Sequence, residues 1–355
     1  MGKILMKGCE AIAEAAVLGG CRFYAGYPIT PQNELPEYMS VRLPEVGGDF
    51  VQGESEVASI NMVYGAATVG TRAMTSSSSP GIALKSEGIS YLSGANLPAL
   101  IVNVSRGGPG LGTIQPAQSD YLQATKAMGH GGFRMIVFAP YSLQEAVDLT
   151  YNAFDYAERD RNPVLILIDG ALGSIKELVE LPPMKELPTE QAKWQLGNPT
   201  GEKRVARMLT SIYPEAGLET LNRTKGEMAV AWGENDVMVE EFLLDDAEYV
   251  VVAYGIAARV AKEAITGLRE KGVKIGMIRP ITLFPFPKGS FRKLDYGKVK
   301  AFIDIEMTVP AQMRDDIALE VLDRAPIYEY GRSGGVLLDD DGVLEAIEKV
   351  LEGEA

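Results

Sequence analysis

The chain has 355 residues, 46% apolar and 23% charged, with a formal net charge of −14. That length supports two ordinary domains, each with its own core, and so acidic a chain lacks the basic face needed to track nucleic-acid phosphates. No apolar run reaches the roughly 18 residues of a membrane span, and no basic segment leads into a long apolar one at the N-terminus, so a cytoplasmic protein is expected.

Short apolar runs alternate with amphipathic segments, the pattern of a mostly parallel sheet covered by helices on both faces. Residues 10–18 read as a helix ended by Gly19-Gly20, and 23–25 as the first strand. A strand at 49–51, a helix at 54–69, a strand at 72–76 and a helix opened by Pro80 follow. A buried strand at 97–104 runs into a long Gly-rich loop. A strand at 135–138, a helix at 143–157 and a strand at 164–168 complete a first domain, residues 1–180. Residues 181–245 open on Pro182-Pro183 and Pro188 and read as a connecting excursion with some helix of its own. In residues 246–355 the alternation resumes, with strands at 250–254, 275–278 and 301–305 and helices at 257–271, 311–322 and 343–351. The fold class is therefore α/β: a doubly wound, mostly parallel sheet followed by a smaller α/β domain.

The chemistry available is narrow. Cys9 and Cys21 are the only cysteines and His130 the only histidine. Two thiols cannot ligate a four-cysteine iron–sulfur cluster, so any cluster belongs to another chain. A single histidine excludes His-cluster zinc schemes, and within Gly129-His130-Gly131-Gly132 it reads as a loop residue.

Three positions stand where strands of the first domain should end. Glu54 and Glu56 open a helix; at i, i+2 they point to different sides and form no acid/base dyad. Either they favour the helix N-terminus through the macrodipole, or Glu56 is a buried acid beside small residues such as Ala58, Ser59 and Gly65. Arg106 follows the strand at 97–104, suited to a planar carboxylate at an edge where open sheets bind ligands, or to a surface ion pair. Thr30, between Ile29 and Pro31, is held in an extended turn; it serves a ligand, a helix N-cap at 32–39, or both. The glycines after Arg106 break the G-x-G-x-x-G spacing at Thr113, which argues against a dinucleotide loop.

These residues resemble a known family. Tyr27-Pro28-Ile29-Thr30-Pro31, Gly53-Glu54-Ser55-Glu56, the run 73–81 and Ser105-Arg106 look like the α-subunit of 2-oxoacid:ferredoxin oxidoreductases. So do Val252-Ala253-Tyr254-Gly255, the run 279–287 and the run 330–335, so the match covers nearly the whole chain. The run 107–120 is most similar to the type acting on 3-methyl-2-oxobutanoate, with 2-oxoglutarate enzymes as the nearest alternative. One departure stands out: after Glu306-Met307 the branched-chain relatives usually continue with Asn and then Gly-Gln-Met, whereas this chain reads Thr308-Val309-Pro310-Ala311-Gln312-Met313.

The resemblance implies a thiamine-diphosphate pyrimidine-binding domain followed by a transketolase C-terminal-like domain. Pro28, Ile29 and Glu56 would contact the cofactor, with Glu56 sharing a proton with the pyrimidine nitrogen. Thr30 and Arg106 would hold the 2-oxo acid's carboxylate. The reaction implied is oxidative decarboxylation, with the acyl group passed to coenzyme A and electrons to ferredoxin. No Gly-Asp-Gly run with a downstream Asn pair is found, so the diphosphate, its Mg2+ and the [4Fe-4S] clusters are expected on partner chains: a β-subunit, with γ and ferredoxin-like δ subunits. Alone the chain would be catalytically incomplete. The competing readings are a non-catalytic scaffold subunit and a nucleotide-binding module.

Overall fold

The computed structural model describes residues 2–188, 190–203 and 210–354. In chain order the first region runs β1 (Ile4–Lys7), α1 (Gly8–Leu18), β2 (Phe23–Gly26), α2 (Glu34–Glu45), β3 (Asp49–Gln52), α3 (Glu56–Thr68), β4 (Ala73–Ser77), α4 (Ser79–Gly94), β5 (Ala99–Ser105), α5 (Tyr121–Thr125), β6 (Ile136–Phe138), α6 (Leu143–Asp160), β7 (Pro163–Asp169), α7 (Gly170–Ser174) and β8 (Lys176–Val179). The rest comprises α8 (Glu215–Asn235), β9 (Val239–Phe242), β10 (Tyr249–Ala253), α9 (Gly255–Glu270), β11 (Ile275–Pro280), β12 (Thr282–Phe284), α10 (Lys288–Arg292), β13 (Ala301–Glu306), α11 (Arg314–Val321), β14 (Ile327–Gly331) and α12 (Asp340–Glu352).

The first sheet has seven strands in the order β12-β6-β7-β5-β4-β2-β3. All neighbours are parallel except β12, which runs antiparallel to β6. Its central strands are apolar on both faces. Along β5, Leu100, Val102 and Val104 join one cluster with α1 and α6 residues such as Ile12 and Phe154. The alternate Ala99 and Ile101 join another with Ile60 of α3 and Ile82 of α4. This is the period-two burial of a strand sandwiched between helices.

The second sheet has the order β14-β13-β10-β11-β9, with only β9 antiparallel. Val250 and Val252 of β10 share the cluster of Ile60 and Ile82. Val251 and Ala253 face the other way, under Ile265 of α9 and Ile347 of α12. The two sheets thus lie against a common apolar layer.

The expected elements recur with shifted ends, and five strands are additional. β1 and β8 form an antiparallel two-stranded ribbon. β9 lies inside the expected excursion 181–245 yet hydrogen-bonds in the second sheet, whereas β12, from the third segment, pairs with the first. β14 extends the second sheet at its other edge. Among the described residues the excursion contributes helix α8. It is tied to the end of α6 by Trp232 Nε1 donating to Asp160 Oδ2 at 2.8 Å and by an Arg159–Asp236 ion pair at 2.8 Å. Among the described residues no helix is long and apolar enough to cross a membrane.

Candidate active site

The chain passes from β2 to β3 at one side of the first sheet and then returns to place β4 on the other side of β2. Loops after β2 and β4 therefore diverge, which opens a crevice at the carboxyl ends of the strands. Thr30, Glu56, Ser77 and Arg106 all belong to the segments around this switch point.

Arg106 directly follows β5 and is 5% exposed. Nη1 donates to the Thr30 carbonyl at 2.8 Å and Nη2 to the Leu111 carbonyl at 2.9 Å, while Nε has no partner. Among the described residues it forms no ion pair, so the surface-pair alternative fails. The loop beyond it closes on itself: Gly107 N donates to Gln115 O at 3.0 Å and Thr113 N to Gly107 O at 2.8 Å. Only glycine fits at position 112, where φ is +65° and a Cβ would lie 1.7 Å from the Gly107 carbonyl. The glycines thus serve to bring Leu111 back to Arg106, and no dinucleotide loop results.

Thr30 contributes its carbonyl to Arg106, while its hydroxyl has no hydrogen-bond partner among the described residues. It is not the helix cap, because α2 starts at Glu34 with Asn33 before it. Pro28 is exposed and Ile29 half-buried on the same loop. Beneath them Gln32 is buried, its Oε1 accepting from Ser76 Oγ at 2.5 Å and its Nε2 unpartnered.

Glu56 is the first residue of α3, since Ser55 caps the helix by accepting from Ala58 N at 3.1 Å. Glu54 is outside the helix and exposed, which separates the two glutamates. Glu56 is 7% exposed, and Oε1 lies against Gly81 of α4, where a Cβ would approach to 2.9 Å. That Cβ would also fall 2.1 Å from Ser77 Oγ, a buried hydroxyl without a partner; Ser78 Oγ is another.

Sequence reasoning missed two features. One is the network that anchors the site floor: Ser79 Oγ donates to Asp120 Oδ2 at 2.6 Å and accepts from Arg106 N at 2.9 Å, and Asn103 Nδ2 donates to Asp120 at 2.9 Å. Burial pushes the Asp120 carboxyl up. The other is Lys85 of α4, 0% exposed, whose Nζ donates to Thr75 Oγ1 at 2.6 Å and Ser76 O at 2.9 Å. Burial pushes this amine down to about 7, and the nearby Glu56 works against that shift. A lone cation four residues after Gly81 on a helix of small and apolar residues was the signal available.

Buried polar atoms without partners normally mark a missing ligand or water. Here the unpaired Ser77 and Ser78 hydroxyls, Gln32 Nε2 and Arg106 Nε accompany a glycine-lined carboxyl. A flat nitrogen heterocycle beside Glu56 suits this set, so these residues fit the pyrimidine of thiamine diphosphate. A cavity of about 720 Å³, lined by Lys126, Arg134, Phe284 and Arg292, shares none of them.

Known proteins resemble this chain in sequence and fold. Residues 14–231 match the family model described as pyruvate flavodoxin/ferredoxin oxidoreductase, thiamine-diphosphate-binding, and 247–342 match pyruvate:ferredoxin oxidoreductase core domain II. The chain is 46% identical over 352 residues to ketoisovalerate oxidoreductase subunit VorB of Methanothermobacter thermautotrophicus, covering 99% of this chain and 98% of that one. It is 35% identical over 317 residues to 2-oxoglutarate synthase subunit KorA of Methanocaldococcus jannaschii, covering 83% and 86%. A solved 2-oxoglutarate:ferredoxin oxidoreductase from Magnetococcus marinus, with 2-oxoglutarate, coenzyme A and succinyl-CoA bound, superposes with a TM-score of 0.86 at 26% identity, over 98% of this chain and 65% of that one. A split-gene transketolase shares the fold, with a TM-score of 0.59 at 16% identity. The chain belongs to the 2-oxoacid:ferredoxin oxidoreductase family and is a subunit of such an enzyme.

Proposed function

We propose that this chain supplies the pyrimidine-side half of a thiamine-diphosphate site that oxidatively decarboxylates 3-methyl-2-oxobutanoate. The observations that support the site are that Thr30, Glu56 and Arg106 follow the parallel strands β2, β3 and β5 at their carboxyl ends, that Arg106 meets the Thr30 carbonyl at 2.8 Å, and that buried polar atoms there are unpaired. The substrate choice rests on whole-length similarity to the ketoisovalerate subunit, at 46% against 35% for the 2-oxoglutarate one.

Glu56 holds and exchanges a proton with the pyrimidine ring nitrogen. Arg106 and the Thr30 hydroxyl hold the substrate carboxylate, the guanidinium kept in place by its two carbonyl partners. Thiamine diphosphate, when bound, supplies the carbanion stabilisation that lets CO2 leave.

The diphosphate, its Mg2+ and the [4Fe-4S] clusters belong to partner chains: a β-subunit, with γ and ferredoxin-like δ subunits. This chain's two cysteines are buried, and burial pushes both thiols up to about 12, the opposite of a metal-ligating thiolate. Coenzyme A as acyl acceptor and ferredoxin as electron acceptor follow from the family's named members.

The test is anaerobic viologen reduction by the complex that co-purifies with this chain, dependent on coenzyme A and a 2-oxo acid. A preference for 3-methyl-2-oxobutanoate over 2-oxoglutarate, pyruvate and an aryl pyruvate is expected. Preference for another acid overturns the substrate and leaves the site. No reduction from a complex retaining thiamine diphosphate and iron overturns the catalytic role and leaves a scaffold.

A further inference from the structure

The cavity of about 720 Å³ lies at the end of the first sheet away from Glu56 and Arg106. β6 runs parallel to β7, and β12 runs antiparallel to β6 with Phe284 opposite Val137. The end of β12 and the Pro285-Phe286 segment after it therefore lie beside the start of β6, at the amino edge of the sheet. Arg106 instead follows a carboxyl end. Leu283 and Phe286 of the lining are buried, while the Lys288 and Arg292 side chains are 58% and 68% exposed. The recess is thus apolar at its base and basic at its mouth. Phe284 is held edge-on by Trp232, with ring centroids 6.3 Å apart at 86°, so its ring is fixed before any ligand arrives.

The mouth carries more positive charge than the protein answers. Lys126 pairs with Asp316 at 2.6 Å. Lys288 and Arg292 share Glu320, at 3.5 and 3.3 Å, one carboxylate for two cations. Arg134 has no carboxylate among the described residues; its hydrogen bonds run from Nη1 to the carbonyls of Lys126, Gly132 and Phe133 at 3.3–3.4 Å. Its guanidinium stands 5.8 Å from the centre of the Phe284 ring. Four cations thus meet two carboxylates, in a chain whose net charge is −14. Like charges gathered in one place repel, and a dianion relieves that repulsion. A recess of this size, mostly apolar with a few convergent charges, has the form of a small-molecule site. A guanidinium fork matches a phosphate oxygen pair, and an aromatic floor matches a flat apolar body.

We propose that this cavity is a second ligand site, taking a phosphate monoester with a flat apolar body. The body lies against Phe284 and Phe286, and the head meets Arg134 and the cations of the mouth. No bond is made or broken there. The site stands whether or not the reading of Glu56 and Arg106 holds, because it shares no residue with them.

The test is calorimetric titration of the complex that co-purifies with this chain, with 1-naphthyl phosphate, 1-naphthol and inorganic phosphate as separate probes. The ester is expected to bind once per copy of this chain, at least tenfold more tightly than either of its halves. Arg134→Gln should weaken it at least tenfold, the scale of a lost hydrogen bond from a charged donor. Should that variant not assemble, Arg292→Gln removes a charge from an exposed side chain and should weaken the ester at least threefold. Equal affinity for ester and halves overturns the proposal, as does an assembled variant that binds like the parent. Absence of binding to the complex overturns it too, the recess then being closed by a neighbouring chain. Binding that coenzyme A displaces and Arg134→Gln leaves unaltered belongs to another site and overturns it equally.

Discussion

The two sheets present their carboxyl edges very differently. The first leaves hydroxyl, amide and guanidinium groups buried and unpaired around Glu56 and Arg106. The second has its edge stitched shut by one side chain of the first region. Gln118 Nε2 donates to Tyr254 O at 2.8 Å, Met307 N donates to Gln118 Oε1 at 2.9 Å, and Gln118 N donates to Met307 O at 3.0 Å. Gln312 adds bonds to Leu122 N and Ser119 O, so the loop after Met307 also grips the first region. Carboxyl edges of parallel strands are where α/β folds place ligands. In the second sheet a protein loop takes that place; Glu306 Oε1 accepts from Met313 N at 2.8 Å within the same region, while Glu306 Oε2 and both Asp304 oxygens are buried without a partner. Both edges thus hold buried polar atoms without partners, and the second differs in being bridged to the first region through Gln118 and Gln312.

The strongest way to break this contrast is Glu56→Gln. General acid–base groups contribute about 10²–10⁴-fold, so turnover of the assembled complex should fall at least about 100-fold, with coenzyme A dependence intact in the residue that remains. Undiminished turnover would make the first edge no more chemical than the second. Next is Arg106→Lys, which keeps the charge but replaces the planar fork, whose two separate nitrogens reach Thr30 O and Leu111 O, with a single ammonium. Losing one hydrogen bond from a charged donor costs about 1.5–3 kcal/mol, so kcat/KM should drop about 10–100-fold, mostly in KM. A drop confined to kcat would move Arg106 away from the substrate carboxylate.

The bridged edge is tested through pH. Burial pushes Glu306 up from 4.5 to about 7, and burial together with the neighbouring Glu306 pushes Asp304 well above its usual range. A carboxyl raised in the folded state binds its proton there more tightly than in the unfolded chain. Its stabilising contribution is therefore complete below 4.5 and is lost as pH rises through about 7. That window corresponds to on the order of 3 kcal/mol. The melting temperature should decline from pH 5 to pH 8, and Glu306→Gln, whose amide oxygen still accepts from Met313 N, should flatten the decline and melt higher at pH 8. An identical slope in the variant would show that the acid pair does not govern the joint.

The legible part of the molecule is the part whose signals are local. Alternation from strand to helix, Gly19-Gly20 after α1 and Pro80 opening α4 all act within a few residues, and those elements fall close to where the pattern puts them. Arg106 and Thr30 were found as strand-end residues, and the structure brings them to 2.8 Å. What stayed hidden depends on distant pairing. β12 is three residues long and joins a sheet whose other strands lie more than a hundred residues earlier. β9 carries two glutamates, Glu240 and Glu241, which disguise it as loop; Glu240 pairs with Arg279 at 2.7 Å and Glu241 with Ser290 at 2.6 Å. Lys85 was hidden because a lysine in sequence reads as surface, and only the packing of α4 on α3 buries it.

The smallest predicted effect separates two uses of one residue. Thr30 offers Arg106 its carbonyl, which any residue could do, and offers the crevice a hydroxyl with no partner among the described residues. Thr30→Val keeps the branched shape and the carbonyl and removes only the hydroxyl, so Arg106 stays in place. If the hydroxyl reaches the substrate carboxylate, one hydrogen bond to a charged acceptor is lost, and KM should rise about 10-fold with kcat unchanged. An unaltered KM would leave Thr30 as a backbone support for the guanidinium, and the carboxylate would then rest on Arg106 and on whatever the partner chain presents across the crevice.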